Sequence, residues 1–478
     1  MDYSQFLNMV PEAALVLALI IVFIIDFILH GKDTDRTRLI DVSAVLVLVS
    51  MCPFHLENTT AFGGMYNQTS AAWVMKVVLG LATVIVLLMS KEWARRDDIQ
   101  DKVGEYCMLV ISTLLGMYMM TSAGHFLLFF LGLEMASIPM ACLVAFNKNS
   151  NESAEAAAKY VLMALFSSAV MLYGISLIYA SSGTLYFDDL SIMMSSSGCT
   201  ALNIMGLVCF FSGLGFKISL VPFHYWTADT YQGAPTVVTG YLSVVSKGAA
   251  AFTLMLILMK VFGSFVEQWQ YMLDLVIVLT ITVGNLFALK QKNLKRFMAF
   301  SSISQAGYIM LAVLGNSQMG VAALTFYILC YVGANLAVFA IISTVEEHNN
   351  GVVDMDAYNG LYQTNPKLAF LMTLALFSLG GIPPFAGMFS KFFVFMAAAG
   401  TENYWIYLVL LIALVNTVIS LFYYLLIVKA MYIKQNDNPL PTFKSSAYTK
   451  LALAISIAGV LLVGVCSCVY DWIYAGTL

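Results

Sequence analysis

Long apolar stretches, most of them close to 20 residues and parted by short polar segments, run the length of the chain. A bilayer core about 30 Å thick is crossed by a helix of about 20 apolar residues. On that measure the pattern predicts fourteen membrane helices, near 7–29, 39–56, 71–90, 104–122, 124–146, 154–180, 200–222, 235–262, 270–289, 297–315, 318–345, 366–399, 403–433 and 447–475. The expected fold class is an all-α polytopic membrane protein. The leader of the first stretch, MDYSQF, has no basic residue, and a charged loop follows the stretch. It therefore reads as a retained span and not as a signal peptide.

Charge sharpens the picture. With alternate loops assigned to alternate sides, the loop lysines and arginines fall on one side, from Lys32, Arg36 and Arg38 to Lys444 and Lys450. The opposite loops, Pro53–Ser70 and Ser181–Thr200 among them, carry none. That asymmetry puts both termini on the outer face, and a miscount of one helix would destroy it. Composition agrees: 10% of residues are charged and 60% hydrophobic, with mean hydropathy +0.85, against about 25% charged in soluble domains. The net charge of −4 comes with no basic patch, which argues against nucleic acid. The eight cysteines are scattered, and Cys466 and Cys468 do not have metal-ligand spacing.

With Lys367, Lys429 and Lys450 at the span ends counted to the loops, six lysines remain inside the predicted spans: Lys76, Lys159, Lys217, Lys247, Lys260 and Lys391. Lys76 and Lys260 lie near helix ends and are expected to snorkel to the interface. Lys159 has Glu155 one turn earlier as a partner. Lys217, Lys247 and Lys391 sit deeper, where a charge costs about 2.5–3.5 kcal/mol on insertion scales. Glu134, midway along helix 5, is expected to find a lysine on another helix, since a lone buried carboxylate would otherwise protonate. Asp26, Asp274 and Glu12 lie close to helix ends, and Asp229 reads as a loop or helix-start residue.

Proline lacks the amide donor and clashes with the preceding turn. Helix 7 is therefore expected to break around Pro222 and helix 12 around Pro383 and Pro384. Each break follows a glycine-rich lead (SGLGF, SLGGI) and lies near a lysine, Lys217 or Lys391. The two helices are five apart, so equivalent helices run in opposite directions. Helices 4–8 and 9–13 are expected to form an inverted repeat of two five-helix bundles. The segments are 1–103 with three helices, 104–262, 263–434, and 435–478 with the last helix. Broken helices of inverted repeats commonly surround an ion site near the membrane midplane. Glu134, Lys217, His224, Lys247 and Lys391, with Lys159, are thus the candidate proton relay; an unperturbed histidine titrates near neutrality.

At these residues the chain resembles a known family. VPFHYWTADTYQGAPT, GGIPPFAGMFSKF and the spaced lysines are similar to the antiporter-like subunits of respiratory complex I, and among them to the N-type branch. The resemblance covers essentially the whole chain. It implies that Glu134 is the helix-5 glutamate paired with Lys217, and that Lys247 is the connecting lysine, with His224 lining the path between the two lysines. Lys391 is the terminal lysine toward the opposite side, and Lys159 a further family lysine on helix 6. Ala228 stands where proline is commoner. The implied role is proton translocation in a bacterial inner membrane, as part of an NADH:quinone oxidoreductase. NADH, FMN, iron–sulfur clusters and quinone would belong to partner subunits, with no cofactor on this chain. K-type and M-type subunits would be its neighbours. An Mrp-type cation/proton antiporter subunit is the alternative from another class, and the homologous subunit of a ferredoxin-driven complex is a second.

Overall fold

The computed structural model describes residues 3–29, 35–52, 58–349, 351–401, 403–435, 440–466 and 468–476. Each predicted helix has its counterpart. Helices 1 to 6 are Val10–Leu29, Arg38–Ser50, Ser70–Trp93, Val103–Thr121, Phe126–Val144 and Asn151–Ser182. The expected end of helix 2 at 56 lies outside the described residues. Helix 8 is Thr236–Lys260, and helices 9 to 11 are Val266–Ala288, Leu294–Leu314 and Gln318–His348. Helix 13 is Trp405–Tyr432 and helix 14 is Ala447–Val465, followed by a separate short helix, Cys468–Gly476. Starts are set locally: the side chains of Thr69, His125, Ser150, Thr200, Asn293, Ser317 and Ser446 each accept a first-turn amide, a cap worth about 1 kcal/mol.

Helices 10 and 11 form the centre, with 100% and 94% of their apolar windows buried by other helices, against 22% for helix 1. Lipid is as apolar as leucine, so helices associate where small residues let backbones touch. A methyl on Gly116 of helix 4 would lie 2.6 Å from the Gly132 carbonyl of helix 5.

The breaks are where expected, with one correction. Helix 7 does not end at 222; it comprises 7a, Ala201–Ile218, and 7b, Tyr225–Gly233. Helix 12 comprises 12a, Pro366–Gly380, and 12b, Ala386–Ala399. Three residues before Pro222 and before Pro384 the chain turns left-handed, at Ser219 (φ 69°) and Gly381 (φ 86°). In both, the next amide reaches back five residues, Leu220 to the Gly215 carbonyl (2.8 Å) and Ile382 to that of Phe377 (3.0 Å). A second detail recurs. A two-residue bridge joins the start of helix 5 to the chain after helix 6 (His125 with Tyr186), and another joins the start of helix 10 to the chain after helix 11 (Asn293 with Asp354).

Lys76 does not snorkel, contrary to expectation. It is 1% exposed, and its ammonium donates to Glu12 Oε1 (2.5 Å), Gln68 Oε1 (2.5 Å) and the Tyr66 hydroxyl (3.1 Å). The loop expected between helices 2 and 3 contains a hairpin, Thr59–Ala61 against Tyr66–Gln68. Alternate strand residues share a face, so Tyr66 and Gln68 close over the lysine together. The loop after helix 6 likewise holds a short helix, Phe187–Ser197, whose Asp188 lies 3.9 Å from a half-exposed Lys260.

Candidate functional site

Lys217 is in the last turn of helix 7a, beside carbonyls that the break leaves without helical donors. It is 4% exposed and donates to Ser137 Oγ of helix 5 (2.7 Å) and the Tyr160 hydroxyl of helix 6 (3.0 Å). Glu134, one turn before Ser137, accepts from Ser168 Oγ of helix 6 at 2.5 Å. The expected ion pair is therefore not formed: among the described residues Glu134 and Lys217 each hold a hydroxyl on helix 6. Two hydrogen bonds from a charged donor, about 1.5–3 kcal/mol each, can offset an insertion cost of about 2.5–3.5 kcal/mol. A counter-ion in contact is not required.

His224 occupies the N-cap position of helix 7b, buried, with its ring stacked on Tyr225 at 4.6 Å. Its Nδ1 makes no well-formed hydrogen bond among the described residues, and the backbone of Pro222 is the polar group closest to hand. Trp226 follows, anchored through Nε1 to the Phe216 carbonyl (3.0 Å) and packed edge-on to Tyr160 at 5.2 Å.

Lys247 follows directly on a π-helical turn, Leu242–Ser246, in the middle of helix 8; such turns interrupt the regular ladder and recur at functional sites. Its ammonium donates to Ser302 Oγ of helix 10 (2.8 Å) and lies 5.4 Å from the centre of the Tyr231 ring. The hydroxyls of Tyr231 and Tyr331 lie near Ser302 beyond bonding geometry, buried and without partners among the described residues.

Lys391 lies in helix 12b and turns back on the break, donating to the Leu379 and Gly380 carbonyls at 3.1 Å each. A cation at a helix C-terminus complements both the orphan carbonyls and the dipole. Gln305 of helix 10 shares the Leu379 carbonyl (3.3 Å), donates to the Tyr424 hydroxyl (3.2 Å) and accepts from Tyr327. Tyr424 bonds Ser301 at 2.5 Å. A cavity of about 10 Å³ adjoins Lys391, lined by Gln305, Tyr327, Tyr331 and Ser390, about the space one water needs.

Lys159 stands apart from this row. Its half-exposed ammonium pairs with Glu155 (2.7 Å), as expected, and also with Asp229 of helix 7b (2.8 Å). Asp229 is therefore neither loop nor helix start: it is inside helix 7b, where it also binds Arg296 of helix 10 at 2.7 Å. Nearby opens a cavity of about 640 Å³ lined by Glu92, Glu152, Lys295, Glu346 and Glu347.

The structure thus places Lys217 and Lys247 at the two ends of the Tyr160, Trp226 and Tyr231 rings, Glu134 beside Lys217 and Lys391 on the far side of helix 10, while no hydrogen bond or ring contact among the described residues joins His224 to these lysines and Lys159 stands at the margin. Sequence reasoning missed the neutral members, Ser137, Tyr160, Tyr231, Ser302, Gln305 and Tyr424. The run FSSISQAGY in helix 10 carries a signal for two of these, since four hydroxyl and amide residues within five positions are unusual in a wholly buried helix. Asp274, expected near an end, is buried with both carboxylate oxygens unpartnered among the described residues.

Residues 123–420 match the family described as NADH:quinone oxidoreductase/Mrp antiporter, transmembrane. The chain is 55% identical over 472 residues to the NADH-quinone oxidoreductase subunit N of Phocaeicola vulgatus, covering 98% of each chain. It superposes on a chain of respiratory complex I from Thermus thermophilus with a TM-score of 0.80 at 28% identity, covering 95% and 96%. A chain of the Mrp complex from a Dietzia species gives 0.84 at 20% identity, covering 100% and 97%, a likeness of fold.

Proposed function

The chain belongs to the NADH:quinone oxidoreductase/Mrp antiporter family, in its subunit N branch, and on that premise we propose that Glu134, Lys217, His224, Lys247 and Lys391 carry protons across the membrane arm, with Lys159 at the margin. The protein is a proton-translocating membrane subunit of NADH-quinone oxidoreductase. The observation that carries the relay reading is the buried polar row between the two breaks. It has two stretches that meet on helix 10, one from Lys247 to Ser302 and one from the adjacent Ser301 through Tyr424 and Gln305 to the Leu379 carbonyl that Lys391 shares.

An ammonium that trades one hydroxyl for another as its neighbours shift can release its proton and regain it. Between Lys247 and Lys391 the polar groups are hydrogen-bonded in sequence except at the step from Ser302 to Ser301, neighbours on helix 10 with separate partners. Between Lys217 and Lys247 lie the Tyr160, Trp226 and Tyr231 rings, and His224 would act from the start of helix 7b. On this reading the aromatic junction is the controlled step. Moving a charge across 100 mV takes about 2.3 kcal/mol, so the drive comes from quinone reduction elsewhere in the complex. NADH, FMN, the iron–sulfur clusters and quinone are held by partner subunits on this reading, K-type and M-type subunits flank the chain, and both termini face the outer side of a bacterial inner membrane.

The inverted repeat, helices 4–8 and 9–13 in segments 104–262 and 263–434, is part of the proposal. The matching left-handed turns at Ser219 and Gly381 and the matching bridges after helices 6 and 11 support it. The Mrp reading rests on the shared family and fold, and nothing observed favours it over the first.

In proteoliposomes holding the whole complex, Lys217→Ala and Glu134→Ala are expected to lower proton pumping per electron while assembly persists. Wild-type pumping in both variants would overturn the relay.

A further inference from the structure

Helix 7b is nine residues long, yet it meets both lysines of the first half. Trp226 packs on Tyr160, which accepts from Lys217, and the Tyr231 ring lies beside the Lys247 ammonium. A helix this short is not stable alone in water or lipid, so its position is set by what ties it down. Four ties cluster on its C-terminal half, from Asp229 to Ala234. Asp229 Oδ2 accepts from Lys159 of helix 6 (2.8 Å), and Asp229 Oδ1 accepts from Arg296 of helix 10 (2.7 Å). The same guanidinium nitrogen reaches Gln232 Oε1 at 3.1 Å. Lys295 donates to the Ala234 carbonyl that ends the helix (2.7 Å). Backbone contact closes the set, since a methyl on Gly233 would lie 2.4 Å from the Glu152 carbonyl.

We propose that Asp229 is a positioning residue for proton transfer, a carboxylate latch that bolts helix 7b to helix 6 on one side and helix 10 on the other. Resting on the relay reading above, it fixes how Tyr160 and Tyr231 face Lys217 and Lys247. The chain's own repetition supports an assigned role for this position. Counting seven residues from Pro222 gives Asp229, and counting seven from Pro384 gives Lys391. After one break the site carries a half-exposed carboxylate with two cations. After the other it carries a buried ammonium facing break carbonyls. One half-helix is latched at the point where the other holds its proton site.

The test uses the whole complex in proteoliposomes, reading protons pumped against electrons transferred. Asp229→Asn is expected to lose pumping per electron while electron transfer continues, and Asp229→Glu to retain it. Arg296→Gln should give the same loss. The double variant should be no worse than either single, because residues acting through one contact are not additive. Should Asp229→Asn fail to assemble, Arg296→Gln opens the latch from the other side and carries the same expectation. Wild-type pumping in Asp229→Asn, or strictly additive losses, overturns the latch. If Lys217→Ala loses pumping while Asp229→Asn keeps it, the latch falls and the relay stands; if Lys217→Ala pumps normally, the relay itself falls.

Discussion

The charged residues of the interior were readable one by one, because an ionic group within an apolar run is rare and costly. Their partners were not. Lys217 is held by two neutral hydroxyls on helices 5 and 6, and nothing in the local spacing of any of the three helices announces that meeting. Lys76 shows the same limit from the other direction: its depth along helix 3 suited snorkelling, but a hairpin folds over it and Glu12 neutralises it at 2.5 Å. Removing one member of a buried pair strands the other charge, at about 3–5 kcal/mol, whereas replacing both can be nearly neutral. Lys76→Met and Glu12→Gln are each expected to lower the thermal midpoint of the detergent-solubilised complex and the amount of subunit assembled. The double variant should recover most of both. A double variant worse than either single would mean that Tyr66 and Gln68 need the charges in place.

At the scale of elements, proline and glycine gave the breaks away, and the short helix beyond the first break stayed hidden. HYWTADTYQG is polar and nine of its residues become helix 7b, too short for any apolar-length criterion to register. The π turn before Lys247 was equally silent, since nothing in LSVVS departs from an ordinary helical run. The breaks themselves make opposite predictions. Ser219 is left-handed with a side chain, a conformation costing about 1–2 kcal/mol that glycine avoids. Ser219→Gly is therefore expected to raise thermal stability by about 1 kcal/mol. Gly381→Ala should lower it by about as much, and its methyl would lie 3.2 Å from Lys391 Cδ and 3.4 Å from Nζ. Thermal inactivation midpoints should rank Ser219→Gly, wild type, Gly381→Ala. Pumping should also slow in Gly381→Ala, because the methyl presses on the lysine that serves the second break. Equal midpoints would mean that the surrounding helices and not the turns set the local geometry.

For the molecule as a whole, the helices could be counted from apolar length, while the centre of the assembly could not be read that way. Helices 10 and 11 are no more apolar than the rest, yet they are the most enclosed; which helix stands inside is decided by packing between distant segments. Helix 10 is accordingly where the two halves of the polar seam converge, with Ser302 under Lys247 and Gln305 leading to Lys391. If protons cross as one connected row, a member that carries no charge is as necessary as a lysine. Gln305→Leu keeps the volume similar and removes the amide that reaches Tyr424 and the Leu379 carbonyl and accepts from Tyr327. It is expected to lose pumping per electron as fully as Lys391→Ala, and combining the two should add nothing further, the signature of groups in one network. A pump that works normally with leucine at 305 would mean that protons reach Lys391 without this row, and the cavity beside Tyr327 and Tyr331 would be the route left to test.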